Sequence, residues 1–224
     1  MAPFIPRLNG QDFTAPLGKI VCVGRNYAAH AQELNNPLPS APLLFIKPAS
    51  AAVPLEQPFA LPHGRGSVHH ELELAVLIGA PLASASADAV APAIAGIGLA
   101  LDLTLRDVQD QLKKDGHPWE RAKAFDGAYP VSEFVSPGGL ALQGLTLQLW
   151  RNGQLQQDGH TSQMLFPIAA LIAEISGNFS LQPGDIVSTG TPAGVGPLQS
   201  GDVLVATLGQ KQTEDLLRIE TTVL

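Results

Sequence analysis

The residues with the clearest chemical potential lie in the segment HHELELAVLIG, residues 69–79. Side chains alternate along a strand, so Glu71 and Glu73 would share one face with Cα atoms ~6.6 Å apart. The segment continues as a nearly all-apolar strand, which is typical of strands covered on both faces. Two carboxylates at the start of such a strand repel each other unless a cation neutralises them. The alternative is a solvated strand end with two exposed glutamates.

Asp102 ends a second apolar run, IAGIGLALD, and can be interpreted in two ways. It could cap the helix that follows, or it could complete a set of three carboxylates with Glu71 and Glu73. Oxygen ligands without cysteine suit Mg²⁺ or Mn²⁺, suit Ca²⁺ less well, and disfavour zinc. His69 and Glu71 also leave open an iron site of two histidines and one carboxylate, although no partner histidine is evident.

A candidate acid–base pair lies in GRNYAAHAQEL, residues 24–34. In a helix, His30 and Glu33 are three residues apart and can touch. A carboxylate that holds an imidazole fixes its tautomer and supports it as a general base. The alternative is an ordinary surface pair, but this pair follows an apolar strand and a tight turn, where functional sites are often built.

Three further segments carry weaker signals. Arg106 and Gln109 are three residues apart on a predicted helix and could face a site together. Lys123 and Arg121, in WERAKAFDG, are either solvated charges or part of the site. The loop STGTPAGVG lacks the Gly-Lys-Ser/Thr ending of a P-loop. We expect it to form a tight turn that brings backbone N–H groups and Thr191 near a ligand.

These residues must be positioned by strands, because helical periodicity is rare in the chain. Strands are predicted at residues 20–24, 43–47, 57–62, 71–78, 95–102, 145–151, 185–189, 202–208 and 216–223. Helices are predicted at residues 27–34 with Asn26 as the N-cap, at 104–114, and at 167–176 with a stop at Gly177. Since the helices do not alternate regularly with the strands, we predict a strand-rich α+β fold rather than a parallel Rossmann or barrel fold.

Composition limits the classes of protein that the chain can be. Its 224 residues are 45% hydrophobic and 15% charged, which allows a sizeable core and excludes a disordered chain. The net charge of −7 and the absence of a basic run disfavour binding to nucleic acid or to a membrane surface. The single cysteine, Cys22, excludes an intramolecular disulfide and a cysteine zinc site. Without a signal peptide or a membrane span, we expect one cytoplasmic domain over residues 1–224.

Together these motifs resemble the fumarylacetoacetate hydrolase family. GRNYAAH, LLFIKP, HHELELAVLIG, LALDLTLRDVQ, WERAKAFDG and GDIVSTGTPAGVGPL occur in the order seen there. The similarity runs over about residues 19–205, after a short N-terminal segment of residues 1–17. It is strongest to the short single-domain members that resemble acylpyruvases and oxaloacetate decarboxylases.

The resemblance implies a fold, an assembly and a set of site residues. The fold would be a mixed β-roll or β-sandwich with few short helices, usually in a homodimer. Mg²⁺ or Mn²⁺ would be held by Glu71, Glu73 and Asp102, with His30 and Glu33 as a catalytic dyad and Lys123 polarising the substrate. The substrate pocket would be lined by Arg25, Arg106, Gln109 and Thr191.

The family resemblance leaves the reaction open. Because the dyad is present, we expect a hydrolase that cleaves the C–C bond of acylpyruvate-type 2,4-diketo acids to pyruvate and a carboxylic acid, with oxaloacetate decarboxylation as a side activity. The alternative is an isomerase or tautomerase, acting on the keto and enol forms of oxaloacetate or in aromatic catabolism. A binding domain without activity would require a degraded metal site. The hydrolase and the isomerase hypotheses both predict a small anionic keto acid as the substrate.

Overall fold

The protein is built mainly from strands, which form four sheets. The computed structural model describes residues 4–210 and 215–224. Within these ranges the strands are β1 (Arg7–Leu8), β2 (Gln11–Asp12), β3 (Lys19–Gly24), β4 (Leu43–Pro48), β5 (Ala52–Pro54), β6 (Val68–His70), β7 (Leu72–Ile78), β8 (Ile94–Leu101), β9 (Thr104–Leu105), β10 (Tyr129–Val131), β11 (Leu145–Arg151), β12 (Gln154–His160), β13 (Ile186–Ser188), β14 (Gly196–Pro197), β15 (Val203–Gln210) and β16 (Asp215–Thr222). The helices there are α1 (Ala28–Glu33), α2 (Ala87–Ala93), α3 (Arg106–Asp115), α4 (Glu120–Lys123) and α5 (Ile168–Asn178). The predicted strand-rich α+β class with few short helices is confirmed.

A seven-stranded mixed sheet, in the order β4-β3-β13-β7-β8-β10-β5, forms the centre of the molecule. β13 runs parallel to β3 and antiparallel to β7, which is antiparallel to β8. The C-terminal ends of β3, β13 and β8 therefore lie at the same edge as the N-terminal end of β7. Each chemical motif in the sequence begins or ends at that edge.

The core lies between this sheet and a four-stranded antiparallel sheet, β12-β11-β15-β16. β11 packs against β7, and β15 packs against β8. Every residue of β7 is buried, as its continuous apolar sequence predicts for a strand covered on both faces. α2 and α5 pack against each other, and α2 also contacts β8. None of the helices within the described ranges is both long and apolar enough to cross a membrane.

Several predicted elements differ from the structure. Residues 57–62 form no strand and contribute only an isolated bridge between Phe59 and Val223. The helix predicted from residue 104 begins at Arg106, because β9 first pairs with β6. α5 continues past Gly177, since one glycine costs a helix only about 1 kcal/mol. β12 was missed because its sequence, QLQQDGH, has no apolar alternation.

Candidate functional site

Three carboxylates lie at the edge of the central sheet where the C-terminal ends of β3, β13 and β8 meet the N-terminal end of β7. Glu71 links β6 to β7, Glu73 is the second residue of β7, and Asp102 follows β8. One ligand oxygen from each lies within 4.8 Å of the other two, and all three residues are at least 95% buried. The exposed-glutamate alternative is therefore wrong. Asp102 is not the cap of α3 either, because Leu105 occupies that position without a side-chain bond.

Lys123 and Arg106 neutralise part of this acidic cluster. Lys123 Nζ lies 2.8 Å from Glu71 Oε2 and 2.6 Å from Asp102 Oδ2. Arg106 pairs with the other oxygen of Glu71. Burial alone would raise the pKa of Glu71, but the charges of Lys123 and Arg106 outweigh it and hold that pKa well below its ordinary value. Burial would lower the pKa of Lys123, but Asp102 and Glu71 raise it above its ordinary value. Lys123 is thus not a solvated surface charge.

Lys47 is a third buried cation, and the sequence analysis did not single it out. Its Nζ lies 2.8 Å from Asp102 Oδ1. Its N–H groups donate to three backbone carbonyls, those of Leu103 at 3.3 Å, Ala128 at 3.0 Å and Lys123. Within the part of the chain that the structure describes, Asp102 Oδ1 has this positive neighbour but accepts no hydrogen bond. The signal was available, because a lysine within the apolar strand LLFIKP has to find a partner when it is buried.

Glu73 has no cationic partner among the residues that the structure describes. Its Oε2 accepts hydrogen bonds from the Ser188 hydroxyl and, at 2.9 Å, from the Gly190 N–H. Burial, followed by repulsion from Asp102, raises the pKa of Glu73 to about 8. A carboxyl group without a cationic partner, beside an Asp102 oxygen that accepts no hydrogen bond, fits a hard divalent cation, and the all-oxygen donor set has the character that Mg²⁺ and Mn²⁺ prefer.

The predicted dyad is held on α1, beside the carboxylates. His30 Nδ1 lies 3.3 Å from Glu33 Oε2, and His30 is buried. Glu33 Oε1 accepts a hydrogen bond from the Gly194 N–H at 3.0 Å. The loop that contains Gly194 therefore positions the Glu33 carboxylate, which in turn positions the His30 imidazole. Nδ1 faces Glu33, which leaves Nε2 of His30 for a ligand.

Asn26 connects the start of α1 to two other segments instead of capping the helix. Tyr27 occupies the N-cap position and makes no side-chain cap. Asn26 Nδ2 donates to Thr189 O at 2.8 Å and to Phe166 O at 3.2 Å, and its Oδ1 accepts from Phe166 N–H at 2.8 Å. Gly190, with φ +95°, lies so close that an added Cβ would be 2.7 Å from Asn26 Cβ. The asparagine therefore serves tertiary contacts that its local sequence does not reveal.

A pocket opens over the carboxylates. Nine of the ten predicted site residues line it: Arg25, His30, Glu71, Glu73, Asp102, Arg106, Gln109, Lys123 and Thr191. Glu33 lies behind His30 and lines a neighbouring cavity instead. Phe45, Trp119 and Lys113 also line the pocket, although the sequence analysis assigned no role to them.

The substrate-lining residues are held by one another. Arg106 Nη1 donates to Gln109 Oε1 at 2.8 Å. Thr191 Oγ1 donates to Leu72 O at 2.8 Å and accepts from Gln157 Nε2 at 2.8 Å. The fully buried Gln157 also accepts from Leu72 N–H at 2.9 Å, so it joins β12 to the strand that carries the glutamates. No spacing in the polar β12 sequence singles out this glutamine.

Known proteins resemble the chain over most of its length. Residues 19–224 match the family described as fumarylacetoacetate (FAA) hydrolase C-terminal. The chain is 54% identical over 194 residues to the oxaloacetate tautomerase of Escherichia coli, covering 86% of this chain and 89% of that protein. A crystal structure from Oleispira antarctica, described as a candidate fumarylacetoacetate isomerase/hydrolase, has 59% identity, a TM-score of 0.96 and 100% coverage of both chains. The fumarylpyruvate hydrolase of Pseudomonas aeruginosa, in complex with Mn²⁺ and pyruvate, has 32% identity, a TM-score of 0.91 and coverage of 100% and 97%.

These similarities correct the expected reaction. The expectation of a hydrolase for acylpyruvate-type diketo acids is wrong, because relatives that are 42–54% identical are named oxaloacetate tautomerases. The error came from treating the His30–Glu33 pair as a mark of hydrolysis. An imidazole held by a carboxylate can take a proton from carbon as well as from water, so the pair does not distinguish the two reactions. The carboxylate cluster and the Mn²⁺ of the more distant relative support a divalent metal.

Proposed function

The chain belongs to the fumarylacetoacetate hydrolase family, and within that family we propose that it is a metal-dependent tautomerase that interconverts the enol and keto forms of oxaloacetate. The ion would be Mg²⁺ or Mn²⁺, held by Glu71, Glu73 and Asp102. The observation that carries the proposal is the combination, in one pocket, of a carboxylate cluster suited to a divalent cation and a single buried imidazole. The names of two relatives that are 54% and 46% identical support oxaloacetate as the substrate.

Tautomerisation requires a group that exchanges protons and a positive charge that stabilises the enolate, and the pocket has residues suited to both. Ketonisation adds a proton to C3 of the enol and removes the proton from the oxygen on C2. A divalent cation would supply positive charge that stabilises an enolate. His30 Nε2 would take the proton from the oxygen on C2 and deliver a proton to C3, so that no net proton is gained or lost, while Glu33 fixes the tautomer through Nδ1. In the reverse direction His30 would take that proton back.

Lys123 would stabilise the oxygen on C2. An ammonium group has three N–H donors. Two are directed at Glu71 and Asp102, so one is available for a substrate oxygen. The two carboxylates hold Lys123 protonated, which suits a group that donates a hydrogen bond in each step. Lys47 and Arg106 would position this array without having to meet the reacting carbon.

The test is to follow two signals from freshly dissolved enol-oxaloacetate. Loss of enol absorbance reports tautomerisation, and a coupled assay reports pyruvate. We expect Mg²⁺-dependent acceleration of enol loss that EDTA abolishes, without matching pyruvate release. Pyruvate formed in step with enol loss, or no acceleration over buffer, would contradict the proposal.

A further inference from the structure

The face of α3 that lines the pocket extends one turn beyond the two residues that the sequence singled out. Arg106, Gln109 and Lys113 are spaced by three and four residues, so they lie along one side of the helix. All three line the pocket over the carboxylates. Arg106 and Gln109 are buried, whereas the Lys113 side chain is 24% exposed. Lys113 therefore carries the same helix face outwards, towards the mouth of the pocket.

Lys113 lies at the boundary between two cavities. It lines the pocket over the carboxylates and also the neighbouring cavity beside Glu33 and His69. Its Nζ lies 5.7 Å from the centre of the Trp119 ring. Its one ion pair among the described residues is a loose contact with exposed Asp110, at 3.7 Å. Such a contact is screened by water and leaves the ammonium available to an anion.

Arg25 provides a second cation in the same pocket. It follows β3 in the left-handed backbone region, at φ +60°, which is uncommon for arginine. Among the residues that the structure describes, it makes no hydrogen bond or ion pair, and it lines the same pocket. Burial, then repulsion from Arg106, lowers the pKa of Lys113, and Arg25 contributes in the same sense. The positive charges of Arg106 and Arg25 therefore both act on Lys113.

The cations of the pocket differ in their partners. Lys123 and Arg106 are already paired with carboxylates. Lys113 and Arg25 line the same pocket, and neither is paired with one of the three carboxylates. A monocarboxylic keto acid that is held at the carboxylate cluster would leave Lys113 with only its loose contact to Asp110, and would leave Arg25 without an ion pair among the described residues. A ligand with a second carboxylate would neutralise them.

We propose that Lys113, with Arg25 beside it, binds the second carboxylate of a dicarboxylic keto acid and so determines the preference of this site for four-carbon diacids over pyruvate-like monoacids. This rests on the proposed function and identifies which end of the substrate these residues recognise. Lys113 is a binding residue for a group remote from the reacting carbon. Its removal should therefore weaken binding and leave the proton transfer intact.

The first experiment compares oxaloacetate with its C4 monoethyl ester, which lacks the second charge. In Lys113→Met we expect KM for oxaloacetate to rise by about 10- to 100-fold, the effect of losing a hydrogen bond to a charged group, with little change in kcat. The ester should change by less than about threefold. Lys113→Arg should restore most of the loss, and Lys114→Met, an exposed neighbour on the same helix, is the matched control. Thermal unfolding and Mg²⁺ titration verify that each variant is folded. If Lys113→Met does not fold, Lys113→Gln is used in its place.

The second experiment does not depend on turnover. Malate and lactate differ by the same carboxylate, and neither can tautomerise. With Mg²⁺ present, calorimetry should show malate binding weakened by about 10-fold or more in Lys113→Met, with lactate nearly unchanged. Equal losses for both ligands, or no loss for malate, would overturn the inference. If the wild-type protein did not accelerate oxaloacetate tautomerisation, the proposed function would fail, and the malate–lactate comparison would still decide the role of Lys113.

Discussion

Glu71 and Glu73 are two residues apart, yet their neighbours give them different electrostatic properties. Glu71 is paired with Lys123 and Arg106, and these cations hold its pKa well below the ordinary value against the effect of burial. Among the described residues, Glu73 accepts hydrogen bonds from a hydroxyl and a backbone N–H, and burial raises its pKa to about 8. The difference is tertiary in origin, because each carboxylate receives its partners from segments far away in the chain.

The role of His30 is tested by replacing its imidazole with an amide. His30→Gln keeps a polar side chain but cannot exchange a proton at neutral pH, so kcat for tautomerisation should fall by about 10²- to 10⁴-fold. The affinity for Mg²⁺ should stay within about twofold of wild type, because three carboxylates would hold the ion and His30 would not be one of its ligands. His63→Gln, at an exposed position outside the pocket, is the control. Retention of wild-type kcat in His30→Gln would remove His30 from the mechanism.

At the scale of elements, strand direction explains why these residues meet. β13 is parallel to β3, and β7 runs against both, so strand ends from four parts of the sequence share one edge. α1 has only six residues and cannot be stable by itself. It is held through Asn26, which bonds to the backbone before α5 and after β13.

Asn26→Ala tests whether α1 is fixed by these bonds. The variant leaves the buried Thr189 O and the partly buried Phe166 N–H without these bonds, at about 1–3 kcal/mol for each group. We expect the free energy of unfolding to fall by about 2–4 kcal/mol in urea titrations, and kcat to fall because His30 is displaced. Asn178→Ala, an exposed asparagine at the end of α5, should change stability by less than about 0.5 kcal/mol. Equal effects of the two substitutions would contradict the proposed link.

At the scale of the whole molecule, a bound cation would join strands that lie far apart in the chain. Glu73 pairs with Ala100 across the β7–β8 ladder, and Ser188 bonds Glu73 from β13. The buried carboxylates repel one another in the metal-free protein, so ion binding should stabilise the fold as a whole. The homodimer and the single domain of residues 1–224 stay predictions.

Metal removal tests this coupling. At Mg²⁺ concentrations of about 100 times Kd, the free energy of unfolding should rise by about 2.7 kcal/mol, and EDTA should reverse the change. Glu73→Gln should show almost no increase, because it removes one of the three charged ligands. Glu174→Gln, at an exposed position on α5, should respond like wild type. A full Mg²⁺ response in Glu73→Gln would place the cation elsewhere.

The sequence determined what depends on local pattern. The apolar run after Glu73 predicted a strand buried on both faces, and the strand-ending Asp102 predicted a third carboxylate near the first two. The spacing of His30 and Glu33 predicted their contact. Strand alternation and helical periodicity act over a few residues, so these features can be inferred before the fold is known.

Only the tertiary structure decided which distant groups surround those residues. Lys47, Gln157 and the links of Asn26 depend on contacts across roughly 50 to 160 positions, which no local period records. Neither the length nor the class of an element reveals which buried polar group it will face. The reaction was not determined by sequence pattern either, because the same imidazole–carboxylate pair serves proton transfer to carbon and to water. The strand order of the central sheet brought these groups together, and burial among them shifted the pKa values of Glu71 and Glu73 in opposite directions.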